Sequence, residues 1–377
     1  MKFEISTKAL QKWLSVVSHA TAWITTTPIL ENILIKVQYK SIILTANNLE
    51  MAIEYILEDD VSIQSEWAYS VPSKLFSSYI GLLSDDTVSI ELVWNGSLEV
   101  KTASGKTKIK GIAAEEFPVI PNIKEELSLS LKWSVVKRSI EKTLFSSAEW
   151  NIRPTLAGLF VQITGTDAVF ASTDSFRLSE YKTILETAKW DTKFSQIIPS
   201  KTCYEIKSIL WDDEDVTIVS GENQIAFFFG NVKFYSRLLN GKFPDYKNFF
   251  PNSYTTKWVI NRYDLMQALR KINLISKENN YSIKMSFSAE NGILLETSET
   301  QIWEGEVQLV WSVEGEDAII WINSTYFLEA LWVIETTHVS LQFENPLAPI
   351  LLLPVPDEGA KKALPGQFKH IIMPLKI

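Results

Sequence analysis

The side chains best equipped for covalent or acid–base chemistry are few in this sequence, and they do not converge. Asp212-Asp213-Glu214-Asp215 is the densest carboxylate run, and clustered carboxylates can hold a metal or share a proton. Here the run falls between a helix-like and a strand-like segment, where a solvated surface turn is its natural reading. Cys203 is the single cysteine, which excludes an internal disulfide and any thiolate-rich metal site. It sits on the inward side of a predicted helix with no histidine placed in sequence to activate it, so it reads as a buried structural thiol. His19, His338 and His370 are scattered without metal-ligand spacing, and no glycine-rich phosphate loop of the Walker type occurs. An enzyme needs a convergent nucleophile and base, a carboxylate pair in a cleft, or metal ligands. The sequence offers none, so no catalytic residue is assigned and neither a metal nor a cofactor is expected.

The chemistry that remains is binding. Helices are predicted over 7–19, 73–83, 132–147, 200–210, 262–275 and 324–335, and they hold twelve basic residues against five acidic ones, although the whole chain carries a net charge of −9. An acidic body that presents basic helices suits a polyanion held on one surface and repelled elsewhere. The same lysines also suit plain solvation of outward helix faces. Composition leaves the two readings open.

The elements that position these residues are organised by an internal repeat. Pro72-Ser73-Lys74-Leu75-Phe76, Pro199-Ser200-Lys201-Thr202-Cys203 and Asn323-Ser324-Thr325-Tyr326-Phe327 rhyme at spacings of 127 and 124 residues. Pro28-Ile29-Leu30 is echoed 126 residues later by Pro154-Thr155-Leu156, and Thr45 by Thr173 at 128. A repeat of this length fills a 377-residue chain three times, and each period is an ordinary domain size. Boundaries at 1–124, 125–250 and 251–377 follow. Within the repeats, Leu10, Leu14 and Val17 share one helix face, as do Leu265, Leu269 and Ile272. Ser73, Ser200 and Ser324 stand where an N-cap hydroxyl would accept a backbone N–H. Asn32–Val37 and Val216–Val219 carry the β-branched density of strands. The fold class is α+β, mostly antiparallel, with about two helices per domain. The N-terminus lacks a charged and apolar leader and no run is long enough to span a membrane, so a cytoplasmic protein is expected.

Three further segments carry more than pattern: Ala171-Ser172-Thr173-Asp174-Ser175-Phe176-Arg177-Leu178, Asn240-Gly241-Lys242-Phe243-Pro244-Asp245-Tyr246, and Ile371-Ile372-Met373-Pro374-Leu375-Lys376-Ile377. With Pro28-Ile29-Leu30 and Glu116-Phe117-Pro118, they resemble the bacterial DNA sliding clamp, the beta subunit of DNA polymerase III, from Met1 to Ile377. The resemblance implies three DNA-clamp domains in a crescent protomer, antiparallel sheets outside and helices on the inner face. Two protomers would join head to tail in a ring around duplex DNA, held there topologically and without sequence readout. The implied partners are DNA, the replicative polymerase, a clamp-loader ATPase and other proteins bearing a clamp-binding peptide. The residues turned toward DNA would be Lys12, Lys74, Lys137, Arg138, Arg153, Lys201 and Arg270.

The resemblance further implies a partner-peptide pocket made by Leu156, Thr173, Ser175, Phe176, Arg177, Leu178, Pro244, Asn248, Phe249, Asn323, Tyr326 and the tail Ile371, Ile372, Met373, Pro374, Leu375, Lys376 and Ile377. An apolar cleft of this kind takes a Leu or Phe anchor, with Arg177 and backbone groups fixing a short extended peptide. Leu178 and Met373 could equally be plain core. The chain departs from the family at Ser175-Phe176, where Gly-His is common, and at Lys247-Asn248, where a more basic pair is usual; both shift the expected peptide preference toward larger apolar contact. For the ring contact, Lys106, Lys108 and Lys110 alternate on a predicted edge strand, and Glu304 and Glu306 alternate in the third repeat. Opposite charge at opposite ends favours head-to-tail pairing, while alternating lysines also serve simply to protect a sheet edge. Leu274 and Ile275 match the family's apolar interface position.

A separate anomaly concerns composition. The chain has 13 Trp and 14 Gly, and Trp23, Trp94, Trp211, Trp303 and Trp321 stand where turn chemistry or the family favours glycine. They are either true tryptophans or glycines of a source that reads one codon differently.

Overall fold

A computed structural model describes the chain except residues 1, 59–60, 95, 150–152, 211–213, 252, 298–304, 310–312, 315, 358–364 and 377, and without the side chains of 313–314. Glu304, Ile377, Trp211, Trp303 and the first half of the 212–215 acid run therefore lie outside the described residues.

Six α-helices are present among the described residues: α1 (Thr7–Val17), α2 (Ser73–Gly81), α3 (Trp133–Thr143), α4 (Ser200–Ile209), α5 (Arg262–Ser276) and α6 (Ser324–Val333). All six fall where the apolar spacing puts them, because one stripe of each is driven out of water. Leu10, Leu14 and Val17 of α1 and Leu265, Leu269 and Ile272 of α5 are fully buried. The serines, however, do not cap. Ser73 and Ser324 are the first helical residues, and the capping positions belong to Pro72 and Asn323, whose backbone is not helical. The Asn323 side chain accepts the Thr325 N–H at 2.9 Å. The Ser324 hydroxyl points inward instead and donates to Asn273 Oδ1 at 2.6 Å, and Ser200 Oγ donates to Ser147 Oγ at 3.1 Å.

The chain forms two compact units. The first, Met1–Ser134 with Tyr204–Leu238, holds two antiparallel sheets. Five strands run in the order Val61–Ser65, Lys2–Ser6, Thr87–Val93, Ser97–Lys101 and Lys106–Lys110, so the lysine-bearing strand is an edge. Nine strands form the second sheet. In it Met51–Leu57 of the first repeat pairs directly with Val232–Arg237 of the second, in register from Tyr55↔Val232 to Met51↔Ser236.

The second unit, Val135–Cys203 with Leu239–Ile377, repeats the arrangement. Its nine-stranded sheet joins Arg177–Ile184 of the second repeat to Gln367–Ile372 of the third, from Arg177↔Ile372 to Lys182↔Gln367. Its four-stranded sheet runs Glu306–Leu309, Gly292–Thr297, Ser282–Ser288 and Ala318–Asn323, with Glu306 exposed on an edge strand. The strands of the central repeat are thus divided between the two large sheets. Alternation in burial follows the pleat, as in Ser282–Ser288, where Ile283, Met285 and Phe287 are buried and the residues between them are not.

Candidate peptide-binding site

The site lies in the second unit and begins with a tight turn. Thr173 ends one strand and Arg177 starts the next. Thr173 Oγ1 donates to the Arg177 carbonyl at 2.6 Å and accepts the Ser175 N–H at 3.1 Å. The Asp174 Oδ1 accepts the N–H groups of both Phe176 and Arg177 at 2.9 Å. Short polar side chains of this kind bond their own backbone and stabilise turns. The closure forces Ser175 to φ +80°, the left-handed region that favours glycine. It also leaves the Phe176 ring exposed.

Arg177 is held on three sides. Its Nε donates to Asp174 Oδ2 at 2.9 Å, a terminal nitrogen donates to Glu329 of α6, and the guanidinium lies 4.4 Å from the Tyr326 ring centroid. Two carboxylates and an aromatic face fix its plane. The side chain therefore ties the turn to α6, beside the role in fixing a peptide that the sequence suggested for it. Burial, followed by the nearby Asp174 carboxylate, raises the Tyr326 phenol above its ordinary range.

Behind the turn, Leu156, Leu178 and Ile371 belong to one buried apolar cluster with Ala171, Leu239, Phe243 and Tyr246. Phe243 stacks on Phe160 at 4.8 Å. The Tyr246 hydroxyl donates to buried Glu180 at 2.9 Å, and burial with that carboxylate raises its pKa. Leu156 and Leu178 thus form the floor of the region and are not open to solvent. Pro244, Asn248 and Phe249 are exposed on the segment that carries Phe243 and Tyr246.

The tail continues the strand pairing. Met373 N–H donates to the Phe176 carbonyl at 2.8 Å, and Leu375 N–H donates to the Trp321 carbonyl at 2.8 Å. Met373 and Lys376 are exposed, whereas Pro374 and Leu375 are partly covered. Turn, tail and α6 thereby meet over the buried floor, with Phe176 and Met373 exposed above it.

Several participants escaped the sequence. Glu329 lies one helical turn from Tyr326, a spacing that could have revealed it. Under the tail, Ser146, Ser179 and His370 form a buried hydrogen-bonded row with steps of 2.8 Å, which no local signal announces. Burial first, and then the Arg177 charge, lowers the His370 pKa to about 3, so the ring is neutral. Its Nε2 has no hydrogen-bond partner among the described residues. A larger groove of about 970 Å³ lies toward the other end of Arg177–Ile184, lined by Lys182, Glu186, Pro354 and Pro365 among others. None of the assigned peptide residues lines it.

In the first unit Lys12 and Lys74 are exposed. In the second, Lys137, Arg153, Lys201 and Arg270 are exposed, with Arg270 4.6 Å from the Trp332 ring centroid. Arg153 donates to Ser175 Oγ at 2.8 Å and so stands at the peptide turn, a placement the sequence did not assign to it. Arg138 is half-buried beside Tyr181 and Glu335. Two of the lysines counted as helical are committed elsewhere: Lys132 ends a strand and pairs with Asp215 at 2.9 Å, and Lys142 is buried against Glu335 at 3.0 Å. Lys106 and Lys108 are exposed on their edge strand, Lys108 lying 3.5 Å from Glu99. Leu274 is exposed and Ile275 half-covered on α5.

Repeated helix-and-sheet modules, joined within each unit by ladders between strands of different repeats, define a clamp-type protein. Family models for the DNA polymerase III beta subunit match in order, the N-terminal domain over 1–121, the central domain over 130–245 and the C-terminal domain over 247–367. The chain belongs to that family and is a sliding-clamp processivity factor, a non-catalytic accessory subunit of a DNA polymerase. It is 27% identical over 367 residues to the beta sliding clamp of Bacillus subtilis, covering 95% of this chain and 97% of that one. To the Staphylococcus epidermidis beta sliding clamp it is 30% identical over 353 residues, 90% of this chain and 92% of the other. The crystal structure of the Bacillus subtilis clamp superposes with a TM-score of 0.93 at 27% identity, covering 100% of this chain and 99% of that one.

Proposed function

We propose that two copies of this chain close head to tail around duplex DNA and tether the replicative polymerase and other proteins through the turn-and-tail surface. The observation that carries this reading is the end-to-end match of three clamp-domain models, in order, to one chain. The domain limits that go with this reading are 1–124, 125–250 and 251–377. Lys12, Lys74, Lys137, Arg138, Arg153, Lys201 and Arg270 supply loose phosphate contact, Arg153 doing so only if it leaves Ser175. Contact of this kind carries no base information and weakens with salt. Lys106 and Lys108 on one edge strand face Glu304 and Glu306 of the partner's third repeat, with Leu274 and Ile275 supplying the apolar part. A clamp-loader ATPase opens and closes the ring, and the protein works in the cytoplasm. No helix among the described residues is long and apolar enough to cross a membrane.

The test is loading onto a nicked circular plasmid by a clamp loader, followed by linearisation. A topologically held ring slides off the cut ends, whereas a groove binder stays, and a scaffold that binds only peptides never loads. For the peptide surface, a peptide with Gln and downstream Leu and Phe binds the full chain, and deletion of Met373 to Ile377 abolishes binding. Unchanged affinity after the deletion refutes the assignment.

A further inference from the structure

Glycine and tryptophan depart from ordinary usage in opposite senses. The chain has 14 Gly and 13 Trp. Together these 27 residues make 7.2% of it, close to the ~7% typical of glycine alone. The structure adds an independent oddity. An indole is a large apolar body that gains by leaving water, yet Trp23 is 88% exposed, Trp94 108% and Trp190 87%. They stand in three separate bends or turns and not along one helix face or strand.

The local geometry at each is that of a turn. Trp94 follows the last residue of the strand Thr87–Val93, and the chain closes with the Gly96 N–H donating to the Val93 carbonyl at 3.0 Å. Trp190 lies inside a turn closed by the Thr192 N–H on the Lys189 carbonyl at 3.0 Å. Its carbonyl oxygen stands 3.2 Å from the point where a Cβ on Gly165 would sit, so two chain segments pass closely there. Trp23 occupies a bend after the short helix Ser18–Ala20. Turns of this kind draw glycine and small polar residues. The tryptophans that do pack are different in kind: Trp258 is fully buried and lies 5.0 Å from Phe287.

We propose that the native polypeptide carries glycine at positions 23, 94 and 190, through a codon that its source reads as glycine and that this sequence renders as tryptophan. One change of codon meaning at these three positions moves the composition toward ordinary usage, to 17 Gly and 10 Trp, and accounts for the placement of solvent-facing indoles in turns. A codon is read alike wherever it stands, so exposure does not choose the sites; the claim is confined to the three positions where the turn geometry supports it, and Trp258 lies outside it.

The experiment is tandem mass spectrometry of tryptic peptides from protein purified from the source cells. Peptide 75–101 contains Trp94 as its sole tryptophan, peptide 190–193 begins with Trp190, and peptide 13–36 contains Trp23. Synthetic peptides of the written sequence and of its Trp94→Gly, Trp190→Gly and Trp23→Gly forms serve as standards for mass and retention. Glycine at 94 and 190 sustains the proposal. Tryptophan at either one overturns it, whatever occupies position 23. Recombinant chains of both kinds give a second readout: the triple glycine form binds less of a dye that reports exposed apolar surface, and equal dye binding contradicts the placement of these indoles in water.

Discussion

Replacing Ser175 by glycine should make the protein more stable, an uncommon direction for a single substitution. Ser175 is held at φ +80° by two hydrogen bonds on Thr173 Oγ1 and two on Asp174. A side-chain-bearing residue in that region costs about 1 kcal/mol relative to glycine. Against this, Ser175→Gly loses the Arg153 hydrogen bond at 2.8 Å, an exposed contact worth at most ~0.5 kcal/mol. Ser175→Ala loses the same hydroxyl but keeps the backbone cost, so the difference between the two variants isolates the conformational contribution. It should be about 1 kcal/mol in favour of glycine. For a unit of this size that corresponds to a Tm difference of ~2–4 °C. Differential scanning calorimetry on wild type, Ser175→Gly and Ser175→Ala measures it. A glycine variant no more stable than the alanine one would show that the turn is not under the backbone cost described, and the hydrogen-bond account of its closure would fail.

Leu178 is buried within the cluster that floors the site, so Leu178→Ala should destabilise by ~2–4 kcal/mol through the cavity it leaves and should weaken peptide binding; denaturant unfolding and binding isotherms test both. His370 has a pKa of about 3 in the folded chain, below its unfolded value of ~6.5. The unfolded chain therefore binds the proton first as pH falls, and the stability contributed above pH ~6.5 is lost progressively toward pH 3. His370→Phe should flatten that part of the stability–pH curve, and an unchanged slope would contradict a neutral buried ring. Burial raises the Cys203 thiol pKa far above its usual range, so alkylation of the native protein should proceed only through unfolding; labelling as fast as that of a free peptide thiol would refute it.

The helices were legible because each buries one stripe, and a stripe leaves a periodic trace such as Leu10, Leu14 and Val17. The triple repeat was legible because similar turns recur at similar spacing. The caps were misread for a physical reason. Serine one residue into a helix and serine at the cap look alike in sequence, and only the non-helical backbone of Pro72 and Asn323 tells them apart. Strand partners of remote origin leave no local trace either. Nothing in Arg177–Ile184 names Gln367–Ile372 as its neighbour. The site itself was partly visible, in the turn residues and the tail, while the brace from Arg177 to Glu329 and the buried row from Ser146 to His370 depend on packing between segments about 150 to 190 residues apart.

The joining of successive repeats by main-chain ladders, Met51–Leu57 with Val232–Arg237 and Arg177–Ile184 with Gln367–Ile372, limits how the chain can be dissected. Excising any single module would strip a strand of its neighbour and bare a row of unmet amides and carbonyls, the usual template for misassociation. The modules are thus alike in plan but not separable parts. An isolated central segment should aggregate sooner than it folds.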